Sequence, residues 1–277
     1  MKAIACELPA ACGLPLSRLS LSDVRGEARR ELRPCPSRSA IGRWFRGDAL
    51  KPWRHRMWVT PRDPDFYAKA SRALDLYRGV WEGEPLTDWD IVLSADEKRV
   101  QIVRRAVPPT PPRPGVPARV EHEYERLGVL VYLAALDVRT GKVAGGWVPS
   151  THAATFRQFV DRVMAREPCR SARRVFWILD NGSAHDPRSF PGWLAEHHKK
   201  AVAVYLPVHA SWLNQVEIYF SITGRKALTP LHLEDVPALP ARLAAWERRY
   251  NRTAKPFDWT FTKADLRRLL DRLDGKA

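Results

Sequence analysis

Cysteine is scarce in this chain, and the few cysteines are scattered along it. The sequence contains four, Cys6, Cys12, Cys35 and Cys169, and no two of them form a CxxC pair. This spacing argues against a zinc knuckle and against a disulfide-stabilised scaffold. It is typical of a protein of the reducing cytosol.

Long apolar runs are also missing. The longest, residues 129–136, is far shorter than the roughly 20 apolar residues that cross a bilayer. Glu7 interrupts the short apolar stretch at the N-terminus, so we expect no signal peptide there. The sequence therefore predicts no membrane partner.

Acidic residues are too few to balance the basic ones. The chain of 277 residues has 31 Asp and Glu against 46 Lys and Arg, a net charge of +15. Such an excess favours a polyanionic partner, most commonly nucleic acid. A membrane surface is the rival interpretation, but no basic amphipathic anchor is evident.

Residues 1–60 predict two short helices. Apolar residues recur at helical spacing in both: Leu19, Leu21, Val24 and Ala28 in the first, Ile41, Trp44 and Phe45 in the second. Ser37 or Ser39 would cap the second helix, and its basic side carries Arg38, Arg43 and Arg46. This pattern favours a helix-turn-helix whose arginines bind DNA, although any two-helix hairpin with solvated arginines has the same pattern.

Residues 61–89 predict a helical connector, and residues 90–277 predict an α/β domain. Apolar runs predict strands at 91–93, 100–105, 128–138, 143–148, 175–179 and 201–206. Six prolines between residues 106 and 118 exclude a helix or a central strand there, so we expect an extended loop. Amphipathic patterns predict helices at 156–164, 211–228, 236–250 and 263–273. Strands joined through helices are expected to be parallel, and the order of elements resembles a ribonuclease-H-like domain with a mixed five-stranded sheet.

Three acids stand out by their positions. Asp96 follows the apolar residues 91–93, and Asp180 follows the apolar residues 175–179. Glu217 lies at the edge of an apolar helical stripe. Taken singly, each is as well explained as a turn residue or a solvated acid. If the three converge, however, their oxygens suit Mg²⁺ or Mn²⁺.

The sequence around these acids resembles a known family. SADEK at 94–98, LDNGSAH at 179–185, HASWLNQVEIYFS at 209–221 and the tail at 250–260 are similar to the signature blocks of bacterial insertion-sequence transposases of the mariner-like superfamily. The resemblance implies a ribonuclease-H-like fold on which Asp96, Asp180 and Glu217 are catalytic and hold two Mg²⁺ (or Mn²⁺) ions.

The resemblance also implies a reaction and its partners. Family members cut double-stranded DNA at the terminal inverted repeats of their element and join the freed 3′-hydroxyls to target DNA. We therefore expect DNA partners, a homodimer or larger assembly on DNA, and a place in the bacterial cytoplasm at the nucleoid. Relatives usually begin with a longer helix-turn-helix region than this chain has. A non-catalytic DNA-binding remnant and a nuclease that hydrolyses without joining strands therefore stay open as alternatives.

Further residues in these blocks are candidates for DNA contact. They are Lys98, Trp212, Asn214, Gln215 and Arg252, for which packing, capping or solvation are equally good explanations. Glu97 is set aside because it points to the opposite side of the strand from Asp96. His185 and His209 are left out because a histidine in a polar loop needs no function. Gly224 is expected to weaken the helix that carries Glu217.

Overall fold

The computed structural model describes residues 1–54, 61–233 and 236–274. The chain divides into two compact units, Met1–Thr60 and Pro61–Ala277. Within the described residues, no helix is both long and apolar enough to cross a membrane.

The first unit is helical. It contains α1 (Lys2–Cys6), a 3₁₀ turn (Pro9–Cys12), α2 (Leu21–Glu31) and α3 (Arg38–Gly47). Ser20 and Asp23 form a capping box on α2. Ser37, rather than Ser39, caps α3 by accepting a hydrogen bond from the backbone N–H of Ala40 at 3.1 Å.

The helices of this unit enclose a small apolar core. Leu19, Val24, Ile41 and Phe45 are buried in it. The expectation for Trp44 was wrong, because this side chain is 47% exposed and stands outside the stripe. Arg38, Arg43 and Arg46 are all exposed.

The second unit is an α/β domain. Its helices are α4 (Phe66–Tyr77), α5 (Ala153–Met164), α6 (Phe190–His197), α7 (Val216–Thr223), α8 (Ala238–Asn251) and α9 (Lys263–Asp274). Its strands are β1 (Val80–Trp81), β2 (Glu84–Pro85), β3 (Asp90–Arg104), β4 (Glu125–Asp137), β5 (Val143–Val148), β6 (Arg174–Leu179) and β7 (Ala201–Tyr205). The stretch 61–89, predicted as a helical connector, holds α4 and the small β1–β2 hairpin, and α4 packs into the core of this unit.

The main sheet has five strands in the order β5-β4-β3-β6-β7. Strands β3, β4 and β5 are antiparallel neighbours, whereas β6 and β7 run parallel to β3. The prediction of a mixed five-stranded sheet is confirmed. Helices α5 and α6 cover one face, and α7, α8, α4 and α9 cover the other.

The prediction of two strands at 91–93 and 100–105 was wrong, because β3 is continuous. It pairs with β4 from Leu93 opposite Asp137 to Arg104 opposite Glu125. The polar residues in the middle do not end the strand: their backbones stay in register with β4, and the Ser94 hydroxyl is hydrogen-bonded to Asn214 and Val216. The proline-rich segment that follows has only isolated bridges, Thr110 with Arg119 and Arg113 with Val116, which confirms the extended loop.

The single helix predicted at 211–228 is divided into three pieces. Ser211–Leu213 is a 3₁₀ turn, α7 begins after Gln215, and Gly224–Leu228 is a π-helical turn. Asn214 causes the first break, since its backbone is extended and its side chain is buried against β3. Gln215 rather than Ser211 therefore precedes the helix that carries Glu217.

Candidate active site

Asp96 lies within β3 and not at its end, which corrects its predicted position. It stands opposite Ala134 of β4. On the other side of β3, the parallel pairing with β6 stops two residues earlier, at Ser94 opposite Ile178. The Asp96 side chain is therefore at the point where β6 leaves the sheet. It is 6% exposed, and its Oδ1 accepts a hydrogen bond from the Glu97 N–H at 2.7 Å.

Asp180 directly follows β6, as its place after an apolar run predicted. Its Oδ1 accepts a hydrogen bond from the Gly182 N–H at 2.9 Å, which makes the Asp-Asn-Gly sequence a turn closed by the aspartate itself. The same oxygen lies 2.6 Å from Nε2 of His185. Asp180 therefore closes the turn and also lies directly at the end of β6.

His185 is a site residue that the sequence reasoning missed. It is completely buried, and its ring packs on Phe156 with 4.8 Å between centroids. With Asp180 ionised, Nε2 donates to the carboxylate, so this ring fixes the direction of the second acid. The signal in the sequence was a histidine five residues after the aspartate, close enough for a turn to fold it back.

Glu97 lies on the face of β3 opposite to Asp96, and this face is the one that His185 occupies. Its Oε2 is buried without a hydrogen-bond partner, and so is Nδ1 of His185. Burial raises the pKa of Glu97, and Asp180 adds to the rise, whereas His185 opposes it. Glu97 therefore belongs to the electrostatic surroundings of Asp180.

Glu217 is exposed in the first turn of α7, and a buried hydrogen-bond network fixes the start of this helix. The Ser94 hydroxyl donates to Oδ1 of Asn214 and accepts from the Val216 N–H at 3.0 Å. Nδ2 of Asn214 donates to the Ala95 carbonyl at 3.0 Å. The strand that carries Asp96 thus holds the helix that carries Glu217.

The three carboxylates act on one another electrostatically. Burial raises the pKa of Asp96 to about 7, with further contributions from Asp180, Glu97 and Glu217. Burial also raises the pKa of Glu217, as does Asp180, while Lys98 lowers it. Burial alone would raise the pKa of Asp180, but the hydrogen bonds from His185 and Gly182 outweigh it and lower the pKa. The three predicted acids are therefore near enough to influence the pKa values of Asp96 and Glu217.

The donor set suits a divalent cation. All donors are carboxylate oxygens, the ligands that Mg²⁺ and Mn²⁺ prefer, and a cation would relieve the repulsion that raises the pKa of Asp96. Among the residues with described positions, no three His, Cys, Asp or Glu side chains are arranged so that they could hold a metal ion together. One oxygen each of Asp96 and Asp180 accepts hydrogen bonds within the fold, from Glu97 and from Gly182 and His185.

The residues predicted to contact DNA have different environments. Lys98 is half-buried with its Nζ 5.9 Å from the centre of the Phe220 ring, and Trp212 is 38% exposed. Arg252 is exposed at the end of α8. Asn214 and Gln215 are each only 1% exposed. A DNA contact by either amide would require this segment to move.

The order of the sheet and the acids on β3, after β6 and on α7 define a ribonuclease-H-like α/β domain with an acidic centre. Residues 91–239, more than half of the chain, match the family of DDE superfamily endonucleases. The chain belongs to this family of metal-dependent enzymes.

Solved structures with the same fold include three complexes of a mariner transposase. The chain is 14% identical to the Mos1 mariner paired end complex with Mn, with a TM-score of 0.52 over 95% of this chain and 78% of that one. The Mos1 strand transfer complex gives 14% identity and a TM-score of 0.53 over 94% and 77%. The pre-cleavage Mos1 transpososome gives 14% and 0.51 over 95% and 78%. A comparison with curated proteins gives no match.

Proposed function

We propose that this protein is a DNA transposase that cuts phosphodiester bonds at the ends of its element and joins the 3′-hydroxyls to target DNA. The positions of the three acids carry the proposal: Asp96 lies on the central strand β3, Asp180 directly follows its neighbour β6, and Glu217 lies on α7, whose start is hydrogen-bonded to β3. The net charge of +15 supports a DNA partner. The fold is also that of structures described as transposase complexes.

Each residue of the site has a part in the proposed reaction. Asp96, Asp180 and Glu217 would hold two divalent ions, Mg²⁺ in the cell. Such ions activate a water or a 3′-hydroxyl and stabilise the leaving oxygen. His185 orients the Asp180 carboxylate, and the Ser94–Asn214 pair keeps α7 beside β3. No side chain forms a covalent intermediate with DNA.

The proposal includes the surfaces that bind DNA. Lys98, next to Glu217, and the exposed Trp212 and Arg252 would contact DNA near the site, and Arg38, Arg43 and Arg46 of α3 would contact it through the first unit. We further propose a homodimer or larger assembly on DNA, because pairing two element ends requires more than one chain. The place of action would be the bacterial cytoplasm at the nucleoid.

The substitution Asp180→Asn tests the proposal. Purified protein is incubated with millimolar MgCl₂ and duplex DNA carrying the inverted repeats that flank its coding sequence, and strand cleavage is measured on denaturing gels. We expect cleavage by the wild type and none by the variant, because Asn cannot supply the same charge to the cation. Unchanged cleavage by the variant would remove this mechanism.

The control is Asp186→Asn in the same loop. Asp186 forms an ion pair with Arg188 at 2.6 Å, and Asn can still accept a hydrogen bond from the Arg188 N–H. We expect this variant to cut DNA like the wild type. A second assay with pre-cut ends measures joining: hydrolysis without joining would identify a nuclease, and binding without cleavage a remnant.

A further inference from the structure

A cleft opens at the free edge of the sheet, away from the three acids. It has a volume of about 410 Å³ and lies along β5, between α5 on one side and α8 on the other. Trp147 from β5, Arg162 and Arg166 from α5, and Arg248 from α8 line it. We call these residues and the space between them the edge cleft.

The edge cleft is strongly basic. Arg162, Arg166 and Arg248 are exposed, and in the described part of the chain no carboxylate lies within ion-pair distance of any of them. The acid in the lining is Glu247, whose pKa is raised by burial. Arg166 and Arg248 act electrostatically on Glu247 and oppose that rise, but three guanidinium groups outnumber this one carboxylate. Such an excess on two helices that face one space favours an anion with several oxygens.

Side chains pack closely on the glycines in the floor of the edge cleft. A Cβ on Gly145 would clash with the Tyr132 hydroxyl and with Glu247, so this position requires glycine. A Cβ on Gly146 would lie 2.9 Å from the guanidinium of Arg162, which places this arginine directly over the strand. Beside them, Trp147 is 47% exposed and offers an aromatic surface at the rim. Basic side chains clustered on one groove are typical of surfaces that bind the phosphates of nucleic acids.

The strand register connects the edge cleft to the acids. Asp96 stands opposite Ala134, and Ala134 stands opposite Gly145. Two strand spacings separate Asp96 from Gly145, a distance on the order of 10 Å.

A hydrogen-bonded chain also joins the two places. The hydroxyl groups of Tyr219 and Tyr132 are 3.0 Å apart, and the Tyr132 hydroxyl donates to Oε2 of Glu247 at 3.2 Å. Tyr219 follows Glu217 on α7 by two residues, and Glu247 is part of α8 in the floor of the cleft. The helix that carries the third acid is thereby fixed to the basic cleft.

We propose that the edge cleft binds the phosphate backbone of duplex DNA as a second contact surface of the catalytic unit. The inference rests on the proposed DNA-cutting function for the identity of the polyanion. The phosphates belong either to the duplex held at the acids or to a second duplex. Both have the same backbone chemistry, and the stoichiometry of binding separates them.

The test compares the salt dependence of DNA binding in two charge-matched double variants. Arg162→Ala/Arg166→Ala removes two arginines of the cleft. Arg78→Ala/Arg249→Ala removes two exposed arginines elsewhere in the same unit, neither of which lines the cleft. The probe is a fluorescein-labelled duplex of about 30 base pairs, titrated by anisotropy between about 50 and 200 mM NaCl.

Each phosphate contact contributes about 0.9 to the slope of log affinity against log salt. We expect the salt dependence of the cleft variant to be weaker, with a slope smaller in magnitude than that of the wild type by about 1.8. The wild type would then lose about tenfold more affinity over this salt range than the cleft variant. The control pair should keep the wild-type slope, and equal slopes for the two pairs would overturn the inference.

Further measurements remove ambiguity. Circular dichroism melts establish that the variants fold, and Arg248→Ala alone, on the other helix, should lower the slope by about 0.9. If calorimetry gives one duplex per chain for wild type and cleft variant alike, the cleft extends the contact with one duplex. If the ratio falls from two to one in the variant, the cleft holds a second duplex.

The inference and the proposed function fail separately. If the cleft variants keep the wild-type slope and Asp180→Asn loses cleavage, the proposed DNA contact in the cleft is wrong and the proposed transposase function is supported. Cleavage that survives Asp180→Asn would remove the transposase mechanism, whatever the slopes.

Discussion

The two ends of the β3–β6 pairing each hold a buried aspartate, and the two aspartates have opposite surroundings. Asp90 is 0% exposed and accepts hydrogen bonds from Arg173, Arg174 and Thr87. These partners hold its pKa well below the ordinary range, although burial opposes them. Asp96, six residues along the same strand, is surrounded by other acids, and burial together with these acids raises its pKa to about 7.

The difference shows how one residue type in one strand acquires two roles. Asp90 has cationic partners within the fold, so its charge contributes to stability. Asp96 lacks such a partner, so its charge is costly until a cation arrives from outside. A buried acid whose neighbours are also acids is the stronger sign of a functional site.

The largest expected effect comes from removing the charge at the acidic end. Asp96→Asn should reduce cleavage by about 10³-fold or more, because a lost ligand removes several kcal/mol of charge stabilisation. In metal-free buffer the same variant should be at least as stable as the wild type in urea unfolding. A large loss of stability would show that Asp96 resembles Asp90 after all.

The opposite result is expected at the other end. Asp90→Asn should lower the free energy of unfolding by about 3 kcal/mol at neutral pH, because two arginines lose a buried partner, while the cleavage rate per folded molecule stays unchanged. The folded-state pKa is lowered, so the stabilisation is present above the unfolded pKa of about 3.9 and is lost as the pH falls below it. Urea unfolding at several pH values should therefore show the difference between variant and wild type shrinking below about pH 4.

Substitutions at His185 test whether cleavage depends on the orientation of the Asp180 carboxylate as well as on its charge. His185→Ala should lower cleavage by about 10–100-fold, since partners of metal ligands have effects of this size. His185→Gln, which can still donate to Asp180, should restore part of the rate. His198→Ala is the matched control, because His198 forms a similar pair with Asp161, 2.7 Å away, outside the site. Equal losses in both alanine variants would point to folding rather than orientation.

The smallest effect concerns one hydroxyl group that donates a hydrogen bond to Asp90. Thr87→Val removes the Oγ1 donor to Asp90, 2.9 Å away, and leaves both arginines in place. We expect a loss of about 1 kcal/mol in thermal or urea unfolding and no change in cleavage. A loss as large as that of Asp90→Asn would mean that the arginines contribute little.

The elements that the sequence predicted correctly have strong local signals. The apolar residues before Asp180 predicted β6 and the place of this acid at its end, and the prolines after residue 106 predicted the loop. A break in the strand was expected at Ser94–Lys98 because polar residues such as Asp are depleted in strands. This expectation was wrong. Ser94 instead pairs with Asn214, 120 positions away, and such a partner cannot be read from local sequence.

The same distant contact explains the error at the predicted helix 211–228. Periodicity alone favours one helix, but the Asn214 side chain leaves the helical path to bond β3. His185 was missed for a related reason, since its partner is defined by the geometry of a turn. Local pattern thus predicted the strands and the identity of the acids, whereas contacts between distant segments decide how the acids are held.

The topology of the sheet also orders the assembly of the site in time. Strands β3, β4 and β5 follow one another along the chain and pair as an antiparallel meander, so they close short loops. Asp180 and Glu217 arrive on β6 and α7, whose contacts with β3 span long stretches of chain and form more slowly. Asp96 therefore lies in the meander, whereas the other two acids lie 84 and 121 positions further along the chain. The proposed site thus requires contacts that only the complete catalytic unit can make.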